Sequence, residues 1–279
     1  MMLRKVTNVL MLGLMWLAAA LVLLPLILIL THLIREGATS LNWAFFTKVQ
    51  SAPGSSGGGM SNAIAGTLVL LVIASAVGLP VGILAGIYMA EHRTARLASS
   101  VRFLSDVLNG VPSIITGIFA WEVLVRPASH FSGWAGGIAL GTMMIPLSAR
   151  TTEEMIRTVP NSLREAALAL GYTQWRTSLL IVARTALPGI VTGALVALSR
   201  VAGETAPLLF TALGNTYWNL NPSKTMAALP LNIYFFALSP YDDWIRLAWA
   251  ASLVLIGLVL LISIAARYAA RPKFGKAVD

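Results

Sequence analysis

The sequence contains no cysteine and carries little charge. Only 11% of its 279 residues are charged, whereas a typical soluble domain has about 25%. Hydrophobic residues make up 57% of the chain, and the mean hydropathy is +0.78. One soluble core cannot bury so much apolar surface, which excludes a typical cytosolic enzyme and a disordered protein. The lack of cysteine excludes disulfides, zinc–thiolate sites, iron–sulfur clusters and cysteine nucleophiles. The three histidines are too scattered to predict a metal or haem site.

Long uncharged runs predict an all-α integral membrane protein instead. Residues 6–31 form an uncharged run of 26 residues, more than the roughly 20 residues that span a bilayer. This run is too long for the apolar core of a signal peptide, so we expect a retained first helix. Five further apolar stretches, two of which contain charged residues, bring the predicted transmembrane helices to six: 63–90, 103–125, 134–149, 186–213 and 247–266.

Lysine and arginine are unevenly distributed between the loops of this topology. With the N-terminus in the cytoplasm, the inner segments hold 14 of the 20 basic residues and the outer segments hold 5. Since basic residues favour the cytoplasmic side of a membrane, both termini are predicted to lie there. The net charge of +9 is thereby explained without a nucleic-acid partner.

The chain divides into four predicted regions. Residues 1–35 form the N-terminal transmembrane helix, and 36–62 form a Gly/Ser-rich linker on the periplasmic side. Residues 63–266 form a core of five transmembrane helices with a cytoplasmic loop at 150–185, and 267–279 form a basic cytoplasmic tail. The chain contains no Walker A motif, so ATP and magnesium, if used, are bound by another chain.

Small residues mark two features of the predicted spans. Gly78, Gly82 and Gly86 recur every fourth residue and therefore share one helix face, which in lipid favours close helix packing. Gly110 and Pro112 interrupt the third span and predict a loosened or kinked helix there.

The cytoplasmic loop contains a short predicted helix between two stops. Pro160 ends the incoming helix, Ser162 and Glu165 fit the N-cap and N3 positions of a capping box, and Gly171 suits the left-handed position after the C-terminus. A helix of about two turns is unstable alone in water. It must therefore pack on its own domain or on a partner, and both readings are open at this point.

Two opposite charges lie within the fifth predicted span. Arg200 and Glu204 are four residues apart, so we expect them to share a helix face and to pair. Arg200 lies about 18 Å along the helix from Pro188, near the middle of the membrane. A charge there costs at least about 2.5–3.5 kcal/mol. The pair is either a structural ion pair or an anion site, in which Glu204 orients a guanidinium suited to a tetrahedral oxyanion.

Three other charges lie near the ends of spans. Arg150 ends the fourth span and is either a second anion contact or a positive anchor on the cytoplasmic side. Asp106 and Glu122 belong to the third span and are expected to snorkel or cap near water.

Several segments resemble the membrane subunits of binding-protein-dependent ABC importers. Glu165-Ala166-Ala167, followed by Gly171, resembles the EAA loop of that family. Three segments are similar to the permeases of phosphate-specific ABC importers in particular: 130–136, 150–153 and the RVAGETAPLLFTA stretch at 200–212.

The resemblance implies a type I importer, MetI-like permease fold and a transport subunit rather than an enzyme. It also implies a homologous second permease, two ATPase subunits that bind ATP and magnesium, a periplasmic phosphate-binding protein and the bacterial inner membrane. It implicates Arg150, Arg200 and Glu204 in phosphate passage. The residues that it implies for coupling to the ATPase are Ser162, Arg164, Glu165, Ala166, Ala167 and Gly171.

Other functions stay open on the sequence. The chain is alternatively a permease for another oxyanion, such as sulfate, molybdate or phosphonate, or a membrane anchor that senses phosphate without transporting it. An intramembrane enzyme is disfavoured because the chain has no HExxH motif, no cysteine and no paired intramembrane aspartates. An inverted-repeat secondary transporter is a further alternative, although no internal repeat is visible and such a carrier does not need the short cytoplasmic helix.

Overall fold

The computed structural model of the protein describes residues 2–55 and 57–270, so most of the predicted basic tail lies outside the described residues. Two short π-helical stretches, Trp121–Val125 and Thr177–Val182, continue the α-helices on either side of them without a break. In chain order the helices are α1 (Met2–Thr39), α2 (Trp43–Thr47), α3 (Ser61–Glu91), α4 (Arg96–Gly110), α5 (Ser113–Ala120), α6 (Arg126–Ala128), α7 (Gly133–Arg157), α8 (Asn161–Ala169), α9 (Gln174–Arg176), α10 (Ala183–Ala202), α11 (Ala206–Thr211), α12 (Leu229–Ala237) and α13 (Asp242–Ala269).

The chain is an all-α, multi-pass membrane protein. Within the described residues, four helical stretches are long and apolar enough to cross a membrane: Arg4–Thr39, Ser61–Glu91, Gln174–Ala202 and Asp242–Ala269. A fifth candidate is α4 together with Ser113–Ala128, bent by 104°. The helix α7 occupies the position of the remaining predicted span but ends in charged turns. The four or five apolar spans, together with α7, are compatible with the six predicted spans.

The bent span differs from the single helix expected over 103–125. The helix α4 ends at Gly110, and α5 begins at Ser113, after Pro112. The predicted kink at Gly110 and Pro112 is therefore confirmed, and it is much sharper than a loosened helix. Since proline cannot donate the backbone hydrogen bond that continues a helix, the chain turns at this point.

The helices α3 and α7 pack backbone against backbone. A Cβ atom on Gly78 would lie 2.5 Å from the carbonyl oxygen of Gly141, and one on Gly86 would lie 2.5 Å from that of Ala149. A Cβ atom on Gly82 would overlap the hydroxyl of Ser148. The face that these three glycines share thus lies directly on α7, which fixes the position of α7 beside the cavity described below.

We expect Gly82→Ala to lower the midpoint of thermal unfolding in detergent. The added methyl overlaps the Ser148 hydroxyl and lies 2.8 Å from the carbonyl oxygen of Ile145, and such overpacking costs about 1–3 kcal/mol. Adding Ser148→Ala removes one of the two clashes and should recover part of the loss. The control is Gly257→Ala on α13, where nothing lies within 4 Å of the new atom. Equal midpoints for both glycine variants would contradict this close contact.

The buried core lies mainly between α3, α7, α10 and α11. Its members include Leu70, Met144, Val201 and Leu208. Two smaller clusters cover the ends of the bundle, one around Phe45 beside α12 and one where α3, α7 and α10 approach α8. We call these the α12 end and the α8 end.

The connection between α11 and α13 dips into the α12 end of the bundle. The backbone N–H of Leu229 donates to the hydroxyl of Thr67 on α3 at 2.8 Å. Residues from Met226 to Leu231 are almost completely buried, so this apolar stretch is covered by protein.

The predicted Gly/Ser linker contains ordered structure. The first helix continues to Thr39, and α2 follows after three residues. Backbone hydrogen bonds then join Gly59 to Val49 at 2.9 Å and Met60 to Phe45 at 2.8 Å. A glycine is needed at 59 because a Cβ atom there would lie within 2.5 Å of the Lys48 carbonyl oxygen.

Candidate functional site

A cavity of about 310 Å³ lies where the bent span faces α7 and α10. Arg200 is the one charged side chain among its lining residues, all of which are described. Asn109, Thr116 and Thr142 supply uncharged polar groups, and the rest of the wall is apolar: Leu108, Val111, Ile115, Phe119, Met143 and Pro146. A single guanidinium in an otherwise neutral chamber is suited to hold one anion.

The cavity lies beside the middle of α7. Thr142 and Pro146 flank the midpoint of α7, which runs from Gly133 to Arg157. Arg200 faces them from the last turn of α10. The other wall is the break after α4, so the kink at Pro112 is what leaves space beside Arg200.

The predicted pairing of Arg200 with Glu204 is wrong. The helix α10 ends at Ala202, and Gly203 is its C-cap. Pro207 cannot donate to the carbonyl of Gly203, four residues earlier, so the helix does not continue to Glu204. In the described part of the chain no ion pair or side-chain hydrogen bond joins the two residues, and the guanidinium that lines the cavity has no carboxylate partner.

A buried carboxylate on α7 links three arginines near the α8 end. Glu153 has no exposed surface. One of its oxygens accepts from Arg102 of α4 at 2.7 and 2.9 Å, and the other accepts from Arg150 at 2.9 Å. Arg157, one turn further along α7, also donates to it. Glu153 was not singled out by sequence reasoning, although opposite charges three and four residues apart on α7 are the signal for such a network.

Arg150 joins the same network from α7. Its guanidinium also pairs with Asp106 of α4 at 3.1 Å. Each helix therefore supplies a cation and an anion to the other: Arg102 to Glu153, and Arg150 to Asp106. We call these four residues the α4–α7 clasp. It holds α4 against α7 at the bend beside the cavity.

Glu122, the other acidic residue predicted in this span, does not belong to the clasp. Glu122 pairs with Arg126 on the same helical stretch, and both side chains are at least half exposed. This pair is remote from the clasp in the chain, and an exposed pair of this kind contributes little stability. Glu122 is thus a surface carboxylate, whereas Asp106, which we had expected to snorkel in the same way, belongs to the clasp.

The short helix α8 begins earlier than expected. Its first residue is Asn161, and its N-cap is Pro160, which makes no side-chain cap bond. The predicted capping box is therefore wrong, because Ser162 already lies inside the first helical turn and cannot adopt the extended N-cap conformation. Ser162 is exposed.

The end of α8 is a Schellman motif. Gly171 has φ +83°, the left-handed conformation that glycine adopts without strain. Its N–H donates to the carbonyl of Leu168 at 2.9 Å, and the N–H of Tyr172 donates to that of Ala167 at 3.2 Å. The chain thus turns sharply into α9.

One side of α8 and the turn after it is open to solvent. Glu165 and Ala166 are exposed, whereas Ala167 is buried. Arg164 points into the protein and pairs with Glu91, the last residue of α3. Exposed apolar side chains surround the helix: Leu163, Leu168, Leu170, Tyr172 and Trp175. A short helix with an open apolar surface of this kind is suited to dock on another protein.

Comparison with known proteins gives one matching family and several relatives. The model for "Binding-protein-dependent transport system inner membrane component" matches residues 82–272. The phosphate transport system permease protein PstA of Yersinia pestis is 46% identical over 87% of this chain and 82% of its own length. The protein of that name from Pasteurella multocida is 45% identical over 95% of this chain and 94% of its own length.

More distant proteins share the sequence or the fold. The phosphate transport system permease protein PstA 1 of Mycobacterium tuberculosis is 37% identical over 88% of this chain and 82% of its own length. A chain of the MetNI methionine ABC transporter, solved in an inward-facing conformation, superimposes with a TM-score of 0.58 at 22% identity. The superposition covers 75% of this chain and 92% of that chain, and at this identity it shows a common fold.

Proposed function

Because this chain belongs to the family of binding-protein-dependent transport system inner membrane components, we propose that it is the membrane permease subunit of an ATP-driven importer of inorganic phosphate. Relatives that bear the phosphate transport name match it at 46% and 45% identity over most of its length. The chain itself transports, and ATP hydrolysis belongs to a partner subunit.

The observation that carries this proposal is the guanidinium of Arg200, which lines the cavity beside α7 and has no carboxylate partner among the described residues. Phosphate in a medium of low polarity needs a cation to replace its hydration. The planar guanidinium offers paired donors to a tetrahedral oxyanion, and the hydroxyls of Thr116 and Thr142 add uncharged donors. Glu204 lies four residues later in the chain, beyond the end of α10, and would have to move toward Arg200 to compete with the anion for the guanidinium during release.

Arg150 is the next proposed contact for phosphate. It lies four residues after Pro146, which lines the cavity, and therefore one helical turn further along the same face of α7. In this structure Asp106 and Glu153 both hold its guanidinium. Phosphate must displace these carboxylates to use Arg150, so the α4–α7 clasp serves as a gate on the way to the α8 end.

The proposed complex has two copies of a PstB-like ATPase that bind ATP and magnesium, a homologous PstC-like permease and a PstS-like phosphate-binding protein. It lies in the bacterial inner membrane with both termini of this chain in the cytoplasm. The open side of α8 supports this arrangement, since it presents Glu165, Ala166 and apolar side chains to a partner.

The test is uptake by the complete complex in vesicles loaded with ATP. We expect uptake of labelled phosphate that requires the binding protein and ATP. Sulfate, molybdate and a phosphonate serve as competitors. Uptake of one of these anions in place of phosphate would reassign the substrate, and a complex that responds to phosphate without moving it would favour a sensing subunit.

Reversing the charge of Glu165, the exposed carboxylate of α8, should weaken the coupling of the ATPase to this chain. Glu165→Lys is expected to lower phosphate-stimulated ATP hydrolysis about tenfold or more, because an interfacial charge reversal costs on the order of 1.4 kcal/mol or more. The matched control is Glu154→Lys, which changes charge equally on an exposed residue of α7. Copurified ATPase is measured for both, and undiminished copurification and activity of Glu165→Lys would contradict docking through α8.

A further inference from the structure

We infer that Arg164 is a positioning residue that carries movement of α8 to α3 through its ion pair with Glu91. The family resemblance implies a coupling role for Arg164, and the structure pairs its guanidinium with Glu91 of α3. The inference rests on the proposed function, since α8 is taken to be the element that an ATPase moves.

The geometry of the pair ties two distant segments together. Arg164 Nη1 contacts Glu91 Oε1, and the two residues are 73 positions apart in the chain. Their side chains are only 16% and 19% exposed. Glu91 is the last residue of α3, so the pair fastens the first half of α8 to the end of that helix.

The ion pair of Arg164 and Glu91 is the polar link between α8 and α3. Over the described residues, no other hydrogen bond or ion pair connects the two helices. The adjacent Glu165 and Ala166 face solvent, and the buried Ala167 lies on the side of α8 that packs on the π-helical stretch before α10. Arg164 is therefore the side chain through which α8 can pull on α3.

The pair creates a second route from α8 to the cavity. The covalent route runs from α8 through α9 and α10 to Arg200. The ionic route runs through Glu91 into α3, whose glycine face lies directly on α7 at Gly141 and Ala149. Since α7 forms another wall of the cavity, the ion pair lets movement of α8 reach both walls at the same time.

The guanidinium of Arg164 has donors that its contact with Glu91 does not use. Arg164 Nε and Nη2 are buried and have no partner. A pair held through one donor, with two donors left unsatisfied, is not arranged for maximal stability. The free donors can take the second oxygen of Glu91 as α8 shifts, because a guanidinium and a carboxylate can form two parallel bonds. The link then persists during movement.

The test compares charge reversal with charge exchange in the complete complex. Arg164→Glu and Glu91→Arg are each expected to raise the ATP hydrolysed per phosphate carried about fivefold or more, which is the usual lower range of coupling between two sites. The double variant restores an opposite pair and should recover most of the ratio. Arg164→Lys keeps the charge without the fork and should give an intermediate ratio. Arg184→Gln, on an exposed arginine of the same region, is the control and should match the wild type.

Two results would overturn the inference. One is an unchanged ATP-to-phosphate ratio in both single variants. The other is loss of the copurified ATPase in Arg164→Glu without recovery in the double variant, since Arg164 would then act in docking. A wild-type complex that carries no phosphate would instead overturn the proposed function, and the two failures are thus distinguished.

Discussion

Replacing Arg200 by glutamine is expected to abolish phosphate uptake while the complex stays assembled. Glutamine keeps a polar side chain in the cavity but removes the positive charge, leaving phosphate with only neutral donors such as Thr116 and Thr142. Loss of one partner from a hydrogen-bonded charge pair costs about 2–5 kcal/mol. Because the Arg200 side chain is exposed in this chain, we expect a value in the lower half of that range, about 2.7 kcal/mol, which corresponds to a fall in uptake of about 100-fold. No buried carboxylate loses its partner, because Arg200 pairs with none among the described residues, so the midpoint of unfolding should stay the same.

The measurement is the initial rate of ATP-dependent uptake of labelled phosphate, with subunit copurification determined on the same preparations. Arg200→Lys keeps the charge but offers no paired donors, and it should fall between the wild type and the glutamine variant. Arg267→Gln removes an exposed arginine from the last turn of α13 and serves as the control. Normal uptake by Arg200→Gln would remove Arg200 from the transport path.

The spans were predictable from sequence because lipid imposes a simple requirement on length and composition. Runs such as 6–31 and 63–90 exceed the bilayer thickness without a charge, and both lie within single helices of the structure. The bend of 104° was not predictable in size. Gly110 and Pro112 show where a helix can break, but the angle depends on tertiary contacts, above all the clasp that holds α4 against α7.

The sequence could identify a residue of the candidate site only where the charge of that residue has a high free-energy cost inside the membrane. Arg200 stands out because a charged side chain within an apolar span is energetically costly and therefore indicates a structural or functional role. Its pairing with Glu204 failed because the spacing rule assumes a continuous helix, and α10 stops between the two residues. The capping box failed for a similar reason, since it depends on where α8 starts.

Glu153 was missed because its partners come from two helices. The contact with Arg102 spans 51 positions of sequence, and no local pattern reveals it. Only the packing of α3, α4 and α7 places the two residues together. The same holds for Arg164 and Glu91, which pair across 73 positions of sequence.

Replacing Glu153 by leucine is expected to cause the largest loss of stability among these variants. The carboxylate has no exposed surface and compensates three guanidiniums. Leucine leaves Arg102, Arg150 and Arg157 close together with no anion between them, and Asp106 can pair with only one of them. Breaking a buried ion pair by removing one partner costs about 3–5 kcal/mol. We expect a value near 3 kcal/mol, because the arginine side chains retain 22–41% exposure and are partly solvated.

The thermal unfolding midpoint in detergent, followed by tryptophan fluorescence, measures this loss. Glu154→Leu is the matched control, because the neighbouring carboxylate is exposed, and surface changes of this kind stay within about 0.5 kcal/mol. Adding Arg102→Leu to Glu153→Leu removes one of the stranded cations, so the double variant should be less destabilised than the two single losses combined, with a coupling of about 0.5–3 kcal/mol. Additive losses would mean that the two residues stabilise the protein separately. In that case α4 is held at its bend by packing alone, and the clasp cannot serve as the gate for phosphate.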